Sequence, residues 1–179
     1  MVRFWACLTW ALPRLALLST RVNIWVANLT DNTVSKLRAS DGANLGAFAT
    51  GSVPVNVAFD GANIWVTNAG DSTPTKLRAS DGANLGTFPV GSGPTGVAFD
   101  GANIWVSSFN DNTVMKLRAA MASICKRLPP VLTPQVLAFD GASMWVVNEG
   151  KQQCEQVLSG CFSDTDIATG VSARGNQRW

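Results

Sequence analysis

The 179-residue chain has no histidine and no tyrosine, and only 15% of its residues carry a charge. Without histidine it lacks the side chain that most often moves protons at neutral pH, so acid–base chemistry would have to rest on another group. A carboxylate such as Asp60 is a poor general base there unless its pKa is raised. Serine and threonine are plentiful, but no histidine or recognisable lysine partner stands ready to activate one. The nucleophile-elbow, phosphate-loop, dinucleotide and zinc-protease motifs are missing as well. Cysteine is sparse: Cys7, Cys125, Cys154 and Cys161 include no pair spaced as a zinc knuckle or redox motif, so they indicate neither metal nor compartment. The N-terminal apolar run, Phe4 to Leu12, is too short to span a bilayer; it faintly resembles a secretory signal, interrupted by Pro13 and Arg14.

What the chain does have is repetition. Ile24-Trp25-Val26, Ile64-Trp65-Val66, Ile104-Trp105-Val106 and Met144-Trp145-Val146 recur every 40 residues, and Phe59-Asp60, Phe99-Asp100 and Phe139-Asp140 keep the same phase. The first two full copies agree at about two-thirds of positions, so one supersecondary unit is repeated. With 46% hydrophobic residues the chain reads as globular. The net charge is +2, and Lys36 with Arg38, Lys76 with Arg78 and Lys116 with Arg118 predict a regular solvated stripe rather than a nucleic-acid footprint.

Within the best copy, turn residues Asp60-Gly61-Ala62, Ala69-Gly70-Asp71-Ser72 and Ser80-Asp81-Gly82-Ala83 separate four strand-length runs: Pro54 to Phe59, Asn63 to Thr67, Thr73 to Ala79 and Asn84 to Val90. Asp-Gly between apolar runs is a strong hairpin signal. No helical 3.6-residue period appears, so the unit predicts a four-stranded antiparallel blade and an all-β chain. Blades stacked face to face bury both sides of each sheet, which explains consecutive apolar residues such as Ile64, Trp65 and Val66. Trp25, Trp65, Trp105 and Trp145, with Phe59, Phe99 and Phe139, are therefore expected in the core. Each indole is worth on the order of 4–6 kcal/mol as an upper bound. The organisation expected is a non-repeat segment 1–20, repeats over 21–150 (21–60, 61–100, 101–140 and a fourth beginning at 141) and a non-repeat tail 151–179.

The stretch Val57-Ala58-Phe59-Asp60-Gly61-Ala62-Asn63-Ile64-Trp65-Val66-Thr67-Asn68 resembles the YVTN repeat of bacterial β-propellers, with Trp65 at the motif's tyrosine. NHL-repeat and streptogramin-lyase propellers are similar, and the resemblance covers roughly Val22 to Asn148. It implies that Pro54 to Phe59 and its equivalents line a central channel, with Asn84 to Val90 outermost. It also implies a secreted or cell-surface protein that binds proteins, glycans or small molecules at the loop face. Streptogramin lyases rely on histidine, which counts against that chemistry here.

The loops after the second strand of each copy carry the candidate ligand contacts: Asn28 and Asp31, Asn68 and Asp71, Ser108 and Asp111, and Asn148. Such residues also make turns on their own account, and oxygen-rich loops can hold calcium. Neither a metal nor a cofactor is expected. The reading is a non-catalytic binding or interaction module for an unidentified protein or small molecule, with no nucleic acid and no membrane span. The alternatives are a lyase- or hydrolase-like propeller enzyme and a fragment of a longer propeller.

Between Arg118 and Val136 the repeat nearly vanishes, yet Phe139-Asp140 resumes in phase. Moved by one base, the codons of Met121 to Cys125 admit four of the five residues of Asp81 to Leu85, although Lys126 does not admit the glycine of Gly86. A shift the other way lets Gln152, Cys154 and Gln156 encode the residues at Asn112, Val114 and Lys116. Out-of-frame or diverged, these segments predict a ragged third blade, weakened at Pro129-Pro130, and a fourth with only two sure strands. The outcome expected is an open arc of three to four blades with exposed faces, unless two copies associate to complete a ring. Resequencing the coding DNA tests the frame: bases unable to encode the repeat in any frame refute the shift.

Overall fold

The computed structural model describes residues 16–119, 123–127, 133–148 and 153–158. The Phe4 to Leu12 run, Pro129-Pro130 and everything after residue 158 lie outside the described residues. Four antiparallel sheets follow one another along the chain. The first holds β1 (Leu17–Ser19), β2 (Asn23–Asn28), β3 (Thr33–Arg38) and β4 (Asn44–Ala49). The second holds β5 (Pro54–Phe59), β6 (Asn63–Asn68), β7 (Thr73–Arg78) and β8 (Asn84–Thr87). The third holds β9 (Pro94–Phe99), β10 (Asn103–Ser108), β11 (Thr113–Arg118) and β12 (Ser123–Arg127), and the fourth β13 (Pro134–Phe139), β14 (Ser143–Asn148) and β15 (Gln153–Leu158). The chain is all-β, an open arc of a β-propeller.

The hairpins form where short polar side chains satisfy the turn. Asp60 Oδ1 accepts the N–H groups of Ala62 and Asn63, and Asp81 Oδ1 that of Ala83, so each Asx turn holds itself. Gly82 is required twice over: its φ is +78°, and a Cβ there would overlap the ring of Phe48 on the preceding blade. The middle strands pair without a slip, Trp25 opposite Lys36, Trp65 opposite Lys76 and Trp105 opposite Lys116.

The described parts of the poorly matched segments, 123–127 and 153–158, keep the architecture. β12 pairs with β11 through a register shift after Lys116, the shift that follows Lys36 and Lys76 in the other blades, so the expected raggedness is absent from residues 123–127. β15 adds a third strand to the fourth sheet, pairing Trp145 with Gln156. β1 likewise precedes the first clear repeat and pairs Leu18 with Trp25.

Every blade has two chemically different faces. Trp25, Ala27 and Val34 of the first pack on Val57, Ile64, Val66 and Leu77 of the second. Ala58 and Trp65 of the second pack on Val97, Ile104, Val106 and Leu117 of the third, and Trp105 and Val114 of the third on Leu137, Met144 and Val146 of the fourth. A tryptophan face thus meets an aliphatic face three times. Consecutive sheets pack closely, and among the described residues the first and fourth share no comparable contact.

The tandem copies allow a controlled comparison. Leu77 is wholly buried within a seam, while its equivalent Leu37 lies on the unmated face of the first blade and is only half-buried. Leu77→Ala should cost about 2–5 kcal/mol. Leu37→Ala should cost less than half of that. Urea unfolding of both variants checks the difference, and equal losses would contradict an open arc.

Candidate functional site

The described residues concentrate polar chemistry in three places: the seams, the rim and the cleft between innermost strands. At the seams, the repeated lysines are buried, which corrects the solvated-stripe expectation for Lys36, Lys76 and Lys116. Each occupies mid-strand and places its ammonium 5.3, 5.0 and 4.9 Å from the ring centre of Trp25, Trp65 and Trp105. Lys36 Nζ donates to the carbonyls of Ala79 and Ser80, and Lys76 Nζ to that of Ala119, all at 2.8 Å and all on the next blade. Lys116 lies 3.8 Å from Asp100. Arg38 and Arg78, at the strand ends, do reach solvent and pair with Asp41 and Asp81.

The indole N–H groups have acceptors as well. Trp65, Trp105 and Trp145 donate to Asp60, Asp100 and Asp140 at 2.8, 2.7 and 2.7 Å. Burial raises the Asp60 carboxyl, but the Trp65 indole, the Asn63 amide and the Ala62 and Asn63 backbone N–H groups outweigh it and leave the group below its ordinary value. Asp100 follows the same balance, and the Trp145 indole foremost lowers Asp140. These are poor proton acceptors at neutral pH. In the first copy Thr20 stands where the aspartate would be, and Trp25 Nε1 is buried without an acceptor among the described residues.

The rim residues divide. Asn68, Ser108 and Asn148 are buried beneath the surface, Asn28 is half-buried, and Asp31 and Asp71 are exposed. Asn28 donates to Thr33 and Ser35, and Asn68 to Thr73 and Thr75. Asp71 accepts the Ser52 N–H and Asp111 that of Ser92. These last two bonds clasp the connection from each outer strand to the next innermost strand. A Cβ on Gly51 would strike Asp71 and Asn68, and one on Gly91 would strike Ser108 and Asp111. No sequence signal marked this role, because the partners lie 19 residues apart. Of the core residues, Trp25, Trp65 and Trp105 are fully buried, Trp145 is half-buried on the face that no described blade covers, and Phe59, Phe99 and Phe139 pack at cluster edges.

Two of these connections hold a β-branched residue in the left-handed region. Val53 and Thr133 are β-branched residues at φ of +56° and +49°, and their equivalent is Gly93. The N–H groups of Val53 and Thr133 donate to Asn32 and Asn112, whereas the residue at that place opposite Gly93 is Ser72. An extra side-chain bond thus accompanies each strained linker.

A cleft of about 300 Å³ opens where β1, β5, β9 and β13 converge, lined by Ala16, Leu17, Val55, Asn56, Thr95, Gln135 and Val136. Its walls are apolar, with three polar side chains on neighbouring strands. Thr95 donates to the Pro134 carbonyl, and Asn56 Oδ1 accepts the Val57 N–H. No lining residue titrates near neutral pH. Among the described residues no three Cys, Asp or Glu side chains gather to hold a metal, and no helix is long and apolar enough to cross a membrane.

Neither a family model nor a curated protein sequence matches the chain. Solved structures do. Hydrazine synthase of Kuenenia stuttgartiensis is 16% identical with a TM-score of 0.73, over 88% of this chain and 49% of that one. Streptogramin B lyase is 20% identical with a TM-score of 0.69, over 83% and 53%. The computationally designed Ika4 protein is 14% identical with a TM-score of 0.72, over 89% and 100%. The fold is a β-propeller. The chain spans about half the length of the first two.

The missing acceptor in the first copy gives a prediction. Thr20→Asp should stabilise the protein by about 1 kcal/mol at pH 7, because it supplies a partner to a buried indole. The carboxylate's pKa would be depressed on folding, so the gain exists above the unfolded value of about 3.9 and disappears as pH falls through the folded value. Urea midpoints at pH 7 and pH 2 check this: a gain that survives at pH 2 would exclude the ionised latch.

Proposed function

We propose that this chain is a non-catalytic, YVTN-type propeller module that binds a neutral polar small molecule in the cleft between its innermost strands. The observation that carries the reading is the lining itself. Apolar walls from Leu17, Val55 and Val136 supply burial, and Asn56, Thr95 and Gln135 supply directional donors and acceptors. A charged ligand would find no opposite charge among these side chains, and a reacting one would find no group there to give or take a proton at neutral pH. The rim supports this division of labour: Asp71 and Asp111 clasp backbone, which leaves exposed Asp31 as a contact for a larger partner.

The lyase alternative rests on likeness to streptogramin B lyase, and at 20% identity that likeness speaks for the fold. The absence of histidine from the whole sequence weighs against it.

Saturation-transfer NMR with a panel of neutral saccharides, amides and lactones tests the proposal. At least one compound should bind, and Asn56→Leu and Gln135→Leu should each weaken it about three- to tenfold, the loss of one net hydrogen bond. Binding indifferent to both substitutions would move the site elsewhere. Turnover of any compound would overturn the non-catalytic reading.

A further inference from the structure

Among the described residues the arc ends on two unmated faces, and they are not alike. The first blade exposes the aliphatic type: Leu17 is 65% exposed, and Ile24, Val26 and Leu37 are half-buried. Their equivalents Ile64, Val66 and Leu77 in the second blade are fully buried, as are Ile104, Val106 and Leu117 in the third. The fourth blade presents the tryptophan type: Trp145 is half-buried, Ala138 opposite it is exposed, and Val136 and Val147 are 49% and 39% exposed. Among the described residues, then, there are three complete seams and one half of a fourth at each end of the arc.

We infer that two copies of this chain close into one ring of blades, the tryptophan face of each fourth blade seating on the aliphatic face of the other copy's first blade. The inference rests on the fold; Leu17 and Val136 belong to the cleft lining as well as to these faces, so Val26 and Val147 are the positions that test it apart from the ligand reading. Three observations select a second copy as the occupant. First, each orphan face is the half that the other lacks, so the new seam continues one that the chain already makes three times. Second, the chain spans 49% and 53% of two longer chains of the same fold, so chains of this fold extend to about twice its span. Third, the free tryptophan face is more apolar than its internal counterparts. Val136 and Val147 replace Asn56 and Thr67 of the second blade and Gly96 and Ser107 of the third. Valines on an exposed sheet face gain most where another apolar sheet covers them.

The geometry permits the contact. The Trp145–Asp140 bond is already made on the free face, so the indole needs no rearrangement. The register position that holds lysine in the internal seams is Gln156 here, so this seam lacks the buried cation and should be weaker than its models within the chain. Association is then reversible and depends on concentration. Two-fold symmetry makes the two new seams identical and leaves no face free, which limits the assembly to a dimer.

Sedimentation equilibrium of the full chain should give twice the 19.0 kDa chain mass, with dissociation on dilution. Val147→Lys should raise the dissociation constant by more than about tenfold, because it places a charge inside the seam. Val26→Glu should do the same from the other side, with Leu17→Glu as its substitute if circular dichroism shows that Val26→Glu no longer folds. Mixing Val147→Lys with the glutamate variant leaves one native seam and sets opposite charges in the other. The mixture should dimerise more tightly than either variant alone. A chain that stays monomeric at all concentrations, growth into open polymers, or a dimer untouched by both substitutions would each overturn the ring.

Discussion

A lysine ammonium buried between blades is the constraint around which the structure is organised. A cation removed from water is costly unless donors and charges are met locally. Here Lys36 and Lys76 meet carbonyl groups that belong to the next blade, and every repeated lysine lies over its own blade's indole. The demand of Lys36 and of Lys76 is therefore met by its own sheet and its neighbour together, and Lys116 lies beside Asp100 of its own blade. Apolar packing of tryptophan against isoleucine, valine and leucine supplies most of the attraction, but it is tolerant of sliding. A hydrogen-bonded cation is not. The seam's polar members fix the distance and register at which one blade follows another.

The aspartate–indole bond extends this logic to the blade's inner hairpin. One carboxylate closes the Asx turn at Asp60 and accepts the indole of Trp65, so the turn and the core side chain are oriented by the same group. The first and last copies each lack part of the set, Thr20 in place of aspartate and Gln156 in place of lysine. Both departures fall on the terminal blades, but they differ: the Gln156 position lies in register on the face of the fourth blade that no described blade covers, whereas the Thr20 position leaves the indole of a fully buried Trp25 without its acceptor. Interior blades answer to neighbours on both sides, and the second and third keep lysine, aspartate and tryptophan together.

The fold was legible because hairpin chemistry and a 40-residue period are local, and they place Trp65 and Phe59 correctly relative to Asp60 from spacing alone. Lysine burial was not legible. Lys76 and Arg78 look alike in sequence and lie on one face of a strand, but Lys76 is mid-strand beneath the next blade and Arg78 is at the end in solvent. The rim residues misled for a similar reason: Asp71 and Asp111 resemble ligand-binding loops, and the backbone they hold arrives from the preceding blade. β12 and β15 show the reverse case. Their sequences have lost the repeat, yet the strand beside each presents an open edge in a fixed register, and the chain pairs with it.

Comparison among copies also separates architecture from whatever is specific to this protein. The seam positions are held nearly constant, Trp25, Trp65, Trp105 and Trp145 on one face and Ile64, Ile104 and Met144 on the other. The cleft positions are not: Val55, Thr95 and Gln135 are equivalent, and so are Asn56, Gly96 and Val136. A ring of identical strands would present a rotationally repetitive surface, suited to a symmetric ligand or to none. Where packing does not dictate the residue, the copies are free to differ, and only by differing can strands of one geometry recognise an asymmetric molecule. The innermost strands vary where the seams around them stay nearly constant, which is the pattern that the proposed ligand reading of the cleft requires.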